Sequence, residues 1–183
     1  MADLSPSFTV PFPRPQVWEF FRRPELVVPC MPGASLTEPP NGNSLTGQMR
    51  VKLGPIAADF AGRAELTMDD ANWSGSIQGR GLDKKNNSRA RSDVRFALTE
   101  QPAGTLVAID VDFTLTGLLA QFSRGAIVQE IARRVVREFA ANLEAKMASQ
   151  SAAVPAPPSK ALNVGALLWG VIAGWFARIF RTR

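Results

Sequence analysis

The chain has 183 residues, 45% apolar and 20% charged, which bounds it to one globular domain with room for an extension. It contains no histidine, so His-based triads, the commonest zinc ligand and the usual neutral-pH proton shuttle are excluded. A single cysteine, Cys30, rules out an internal disulfide, and the net charge of +5 suits an anionic surface or an acidic partner.

The first ten residues, MADLSPSFTV, carry neither a basic n-region nor an apolar h-region, so no signal peptide is expected. Residues 3–12 alternate, with Leu4, Phe8, Val10 and Phe12 against Ser5, Ser7 and Thr9, which predicts a strand with one buried face. Pro13 and Pro15 suit a helix start, and Val17, Trp18, Phe20 and Phe21 make that short helix very apolar. A second short helix is expected from Pro24, stopped by Pro29, Pro32 and Gly33.

From Ala34 to Leu115 strand follows strand. Asn41-Gly42, Gly54-Pro55, Asp69 to Asn72, Asp83 to Asn87 and Gln101 to Gly104 mark the turns. Between them the inward set runs through Leu45, Gly47, Met49 and Val51, then Ala58, Phe60, Gly62, Ala64 and Leu66. It continues through Trp73, Gly75, Ile77 and Gly79, then Ala90, Ser92, Val94, Phe96 and Leu98, then Val107, Ile109, Val111, Phe113 and Leu115. Tight turns make neighbouring strands antiparallel, with one face wet and one dry. Residues 117–147 then read as one long helix, with Val128, Ala132, Val135, Phe139 and Leu143 stacked on one face and Leu118 and Phe122 widening it. The expected fold is an α+β domain over 1–147, a curved antiparallel sheet around a long C-terminal helix.

The inward positions carry a second message. Gly47, Gly62, Ala64, Gly75 and Ala90 are small, while Phe60, Trp73, Phe96 and Phe113 are large enough to hold helix and sheet apart. Small residues between such spacers predict a hollow, floored by Gly47, Gly62, Gly75 and Ala90 and lidded by Phe122, Val128, Val135 and Phe139. The bland alternative is that the glycines only bend the sheet and let the helix approach. No inward position reads as charged, so the occupant should be a quinone-like or other apolar molecule.

Residues 148–160 form an Ala/Pro/Ser linker with a reach on the order of 40 Å when extended. Residues 161–183 follow as a very apolar segment. Leu167, Leu168, Val171, Ile172, Trp175, Phe176 and Ile179 supply a bulky face, and Gly170 and Gly174 belong to a small one. Trp169 and Trp175 suit headgroup depth, Phe180 joins the membrane-contacting set, and Arg178, Arg181 and Arg183 suit anionic phosphates. Three readings stand: a span pairing through the small face, an interfacial helix on membrane lipids, or a helix that packs on a partner protein. The positive-inside rule counts against a span, and the weak polar face against a purely interfacial helix.

Recognisable chemistry is sparse. Asp69-Asp70 falls in a turn and Asp110/Asp112 on the outward parity, so both read as solvated carboxylates. Gly79-Arg80-Gly81 is too short for a dinucleotide fingerprint. Lys84, Lys85, Arg89, Arg91 and Arg95 form a basic stretch without interleaved aromatics, so a solvated face or docking patch is expected rather than nucleic acid. Cys30 reads as a buried structural thiol. No metal, cofactor or catalytic residue is expected.

Three blocks resemble a known family. They are Pro15-Gln16-Val17-Trp18 through Cys30-Met31-Pro32-Gly33; Val51 to Ile56 with Phe60-Ala61-Gly62; and Gly117-Leu118-Leu119-Ala120-Gln121-Phe122-Ser123-Arg124-Gly125. Their spacing resembles the G subunit of carbon monoxide dehydrogenase, a family in the SRPBCC superfamily. The resemblance implies the helix-grip fold of START-like carriers. It also implies a non-catalytic accessory protein for a molybdenum-containing carbon monoxide dehydrogenase or related oxidoreductase. Its tasks would be recruiting that enzyme to the membrane and handling the quinone that takes its electrons; the bulky face and arginines of the tail add the expectation that this is the cytoplasmic face of the inner membrane. Two other readings remain. This fold also hosts cyclases and hydratases, which need an acid or base aimed into the hollow, and the inward set offers only Ser92. A recruitment factor with a solid core is the third.

Overall fold

The computed structural model describes residues 2–53, 56–123 and 126–152. The chain opens with β1 (Ala2–Leu4) and β2 (Ser7–Val10), followed by α1 (Arg14–Phe21) and α2 (Pro24–Val27). A single 3-10 turn, Val28–Cys30, leads into β3 (Ala34–Leu36). The long strands are β4 (Ser44–Leu53), β5 (Ile56–Asp69), β6 (Ser74–Asp83), β7 (Ser88–Gln101) and β8 (Gly104–Gly117). A 3-10 segment, Leu118–Ser123, precedes α3 (Ala126–Ala152).

All strands join one antiparallel eight-stranded sheet in the order β1-β8-β7-β6-β5-β4-β3, with β2 also on β8. The strand expected over 3–12 is divided. β1 and β2 keep one register on β8, but Pro6 has no N–H to donate, and only its carbonyl takes part, accepting from the Ile109 N–H at 2.9 Å. The turn expected at Gly54-Pro55 lies outside the described residues.

The long helix begins later than its apolar pattern suggested. Gly117 still belongs to the sheet, paired with Ser88, and leaves it at φ +80°; a Cβ there would sit 2.2 Å from the Asn87 carbonyl oxygen. The chain then takes the 3-10 segment, which turns Leu119 fully inward and leaves Leu118 60% exposed. Leu118 therefore does not widen the helical stripe. At its other end α3 continues past Met147 to Ala152, so residues 148–152, expected to open the extended linker, are helical, and the rest of that linker lies outside the described residues.

Among the described residues the core falls into two clusters. The larger gathers Val10, Val17, Trp18, Phe20, Phe21, Phe96, Leu98 and Val107 with Phe139, Leu143 and Met147 of α3. Its rings meet edge-on or tilted, Phe8 with Phe139 at 5.7 Å and Phe21 with Phe96 at 5.2 Å. The smaller holds Ala58, Phe60 and Leu119, with Val51, Ala90, Leu115 and Ile131 against it.

Asp70 is not merely solvated. One of its carboxylate oxygens accepts from the buried Trp18 Nε1–H and from Arg22, each at 2.8 Å, which ties α1 to the β5–β6 turn. Trp73 corrects another expectation. It sits in that turn at φ +51°, with its ring against Trp18 and the Arg14 guanidinium 4.5 Å above it, so it is no strand residue.

Candidate functional site

Between the two clusters, bordered by members of both, lies an apolar hollow of about 570 Å³ that opens to the surface. That volume is in the ordinary range for small-molecule sites, about 300–1,000 Å³. Its floor is set by cross-strand register. One row across the sheet is Gly47–Gly62–Gly81–Ala90–Leu115. The next inward row is Leu45–Ala64–Gly79–Ser92–Phe113. Small residues therefore lie side by side over the middle strands. With no side chain at Gly62, Gly79 and Gly81, the main chain itself becomes floor. The larger rows flank them, Met49 and Phe60 on one side and Leu66, Ile77, Val94 and Val111 on the other.

The glycines serve both readings proposed from sequence. A Cβ on Gly47 would meet the Ser35 carbonyl oxygen at 2.4 Å, and one on Gly62 the Arg80 carbonyl oxygen at 1.9 Å. These positions let strands approach closely where the sheet curls, and the space above them stays empty.

The roof is α3. Phe139, Leu143 and Met147 are 0–3% exposed and hold its C-terminal half in the larger cluster. Ile131, Ala132, Val135 and Val136, one to two turns earlier, are only partly buried and face the hollow. Asn142 adds a tie by donating its amide to the Cys30 carbonyl at 3.0 Å. Cys30 itself is 2% exposed, its Sγ–H on the Leu26 carbonyl; burial pushes its thiol up against the opposing pull of Lys146. That is a structural thiol, not a nucleophile.

Of the residues expected around the hollow, Gly47, Phe60, Gly62, Ala64, Ala90, Phe96, Phe113, Val135 and Phe139 border it. Trp73 and Gly75 do not. Trp73 turns away onto α1, and Gly75 makes room for the Phe96 ring, whose Cζ would be 2.5 Å from a Cβ there. The side chains of Phe122 and Val128 lie outside the described ones. The structure adds Gly79, Gly81 and Ser92 to the floor, and Val27, Val28, Met31 and Leu36 to the wall from α2 through β3. Those last segments are too short to show periodicity. The apolar tail from Leu167 to Arg183 also lies outside the described residues, among which no helix is long and apolar enough to cross a membrane.

Among the described residues that border the hollow, Ser92 is the one polar residue on the inward parity; Ser35, Gln48, Arg63 and Arg80 border it from outward-parity positions. Ser92 borders the hollow, and its hydroxyl makes no hydrogen bond among the described residues. A Cβ on Gly79 would lie 2.7 Å from Ser92 Oγ, so the hydroxyl occupies the space that Gly79 leaves open.

One inward charge was missed. Asp83 follows Gly75, Ile77, Gly79 and Gly81 in alternation and is 1% exposed. Burial alone would push its carboxyl up. The Asn86 side chain, with the N–H groups of Asn86, Asp59 and Lys85, outweighs that and holds it below the usual carboxylate range. Asp83 closes the β6–β7 turn and does not border the hollow. Beside it Ser88 donates to the Asn86 carbonyl and accepts from the Leu119 N–H at 3.0 Å, which fixes the 3-10 segment over this end. Among the described residues no cluster of acidic or cysteine side chains could hold a metal ion.

Solved structures share this architecture. A conserved protein from Geobacillus kaustophilus superposes with a TM-score of 0.69 at 14% identity, covering 81% of this chain and 97% of that one. A Thermus thermophilus protein gives 0.58 at 16%, covering 82% and 99%. The Zhui aromatase/cyclase of Streptomyces sp. R1128 gives 0.55 at 11%, covering 85% and 99%. At such identities the likeness is one of fold, the curled START-like sheet gripping a C-terminal helix. No curated protein sequence matches the chain. Residues 7–148, which carry every described residue bordering the hollow except Pro6, match the sequence profile of the carbon monoxide dehydrogenase G subunit (CoxG), and the chain belongs to that family.

Proposed function

We propose that this protein is a non-catalytic carrier that holds a quinone or similar apolar molecule in its hollow and serves a molybdenum-containing carbon monoxide dehydrogenase at the membrane. The observation that carries this reading is the hollow itself: largely apolar walls, with the Ser92 hydroxyl on the floor making no hydrogen bond among the described residues. A quinone ring matches that chemistry, being flat and apolar with carbonyl oxygens that accept a hydrogen bond. Burial would supply roughly 25 cal/mol per Å² of apolar area, part of it offset by ordering and association. Family membership supports the dehydrogenase as partner. The apolar and arginine-rich character of residues 161–183 supports membrane attachment at the cytoplasmic face, through a linker long enough for the domain to reach a soluble enzyme.

The test is native mass spectrometry of the full chain extracted from membranes, with a second preparation lacking 161–183. A quinone mass adduct on the full chain is expected, together with loss of membrane pelleting but retained folding in the shortened one. Absence of any apolar adduct, with no quinone uptake from vesicles, overturns the carrier reading. Undiminished pelleting of the shortened chain overturns the anchor.

A further inference from the structure

The outer face of the sheet carries its own register. Arg63 of β5 stands opposite Arg80 of β6, and Arg80 opposite Arg91 of β7. All three are exposed, and none makes an ion pair or side-chain hydrogen bond among the described residues. Cβ atoms directly opposite in an antiparallel sheet lie about 4.5–5.5 Å apart, where like charges repel. Two other arginines on this face are paired: Arg50 meets Asp59 at 3.0 Å, and Arg95 meets Asp93 at 3.7 Å. The row of three arginines ends in the uncharged Thr46 and Thr114.

Two residues further along the same strands runs an acidic row, Glu65–Gln78–Asp93–Asp112. The separation is about 7 Å, shorter than the screening length of roughly 10 Å at 0.1 M salt. We infer that these paired rows are the docking face for the dehydrogenase, whose surface would bring carboxylates to Arg63, Arg80 and Arg91 and cationic side chains to the acidic row. The inference rests on the reading that the chain serves such an enzyme, and adds where it is met. An anionic lipid surface or a nucleic acid is a poorer match, because either presents negative charge throughout. It would gain at the arginines and lose at the acids one step away. A folded protein can present both signs in register, and two antiparallel stripes of charge fix orientation as well as attraction. The arginine row also lies directly behind the floor, between the rows Gly62–Gly81–Ala90 and Ala64–Gly79–Ser92. A partner seated there is one sheet thickness from the hollow.

The experiment measures binding of the full chain to purified carbon monoxide dehydrogenase across a salt series, with flotation on phosphatidylglycerol vesicles in parallel. The first variant combines Arg63→Gln, Arg80→Gln and Arg91→Gln. It relieves like-charge repulsion, so the fold should be no less stable, and a thermal melt confirms that. The second combines Glu65→Lys and Asp112→Lys. Each is expected to weaken dehydrogenase binding on the order of tenfold or more. The first should also flatten the salt dependence, with vesicle binding unchanged. Equal dehydrogenase affinity for the unaltered chain and the arginine variant overturns this face while leaving the proposed function standing. Loss of vesicle binding with dehydrogenase binding retained overturns it in favour of a lipid-facing role. No dehydrogenase binding by the unaltered chain, with quinone binding intact, removes the partner and this inference with it.

Discussion

Gly62 lies so close to the main chain of Arg80 that a Cβ on it would stand 1.9 Å from the Arg80 carbonyl oxygen. Gly79, on the same floor, would bring a Cβ against only the Ser92 hydroxyl, at 2.7 Å. One contact is rigid backbone and the other a rotatable side chain. Gly62→Ala should therefore destabilise by about 3 kcal/mol, and Gly79→Ala by less than about 1 kcal/mol. Urea midpoints with unchanged slopes check both. Similar losses at the two positions would mean that the floor does not distinguish close approach from open space.

Filling the hollow should separate ligand binding from stability. Ala64 and Ala90 border it on adjacent rows. In a filled core, Ala64→Leu or Ala90→Leu would cost about 1–3 kcal/mol by overpacking. Here each should be close to neutral and should weaken quinone binding by displacement. Calorimetric unfolding and quinone titration of the same samples decide; a stability loss of that size with unchanged binding would make these positions packed core.

Ser92→Ala removes the hydroxyl and nothing that the described fold uses. The melting temperature should stay within measurement error. Affinity for a quinone should fall by about 1 kcal/mol, roughly fivefold, the net worth of one hydrogen bond. A matched apolar ring without carbonyl groups should bind both forms alike. If the two ligands respond equally, Ser92 does not read the carbonyl.

Asp83 predicts a pH dependence. Its folded carboxyl is held below the range it has in the unfolded chain, so the unfolded state takes up a proton first as pH falls. Its contribution is complete above the ordinary carboxylate pKa and disappears as pH drops through the lower folded value. Asp83→Asn should cost about 1–3 kcal/mol at neutral pH, by weakening the acceptor of the Asn86 amide and the Asp59 N–H. The gap to the unaltered protein should close under acid, as followed by chemical denaturation from pH 7 to pH 3. A gap that is constant over that range would rule out the carboxylate charge as its source.

Much of this architecture was legible because β5, β7 and β8 each run for 14 residues, long enough for alternation to fix which side chains face inward. Alternation says nothing about neighbours, however. The register that aligns Gly62 with Gly81 and Arg63 with Arg80 depends on how each turn is spent. The basic stretch near Lys84 to Arg95 was visible as a run, but its partner Arg63, a full strand earlier, was not. Trp73 was misplaced because a positive φ leaves no mark in a hydrophobic pattern. Asp83 kept the inward parity of its strand, and the polar turn after it hid that fact. The 3-10 segment was missed for a similar reason: Leu118, Leu119 and Phe122 satisfy a helical period as readily as a three-residue one, and only the pairing of Gly117 with Ser88 decides where the sheet lets go.

The uneven grip on α3 has a mechanical consequence. Phe139, Leu143 and Met147 pin the half of the helix that leads toward the linker, while Ile131 to Val136 roof the hollow without being packed to the same depth. A pull transmitted along the chain from beyond residue 152 loads Met147 first, then Leu143, then Phe139, before any of it reaches the roof. Those three side chains act as a strain relief, like the clamp on a cable where it enters its housing. Tension along the chain is spent on the best-packed contacts of the helix, and the hollow is shielded from it.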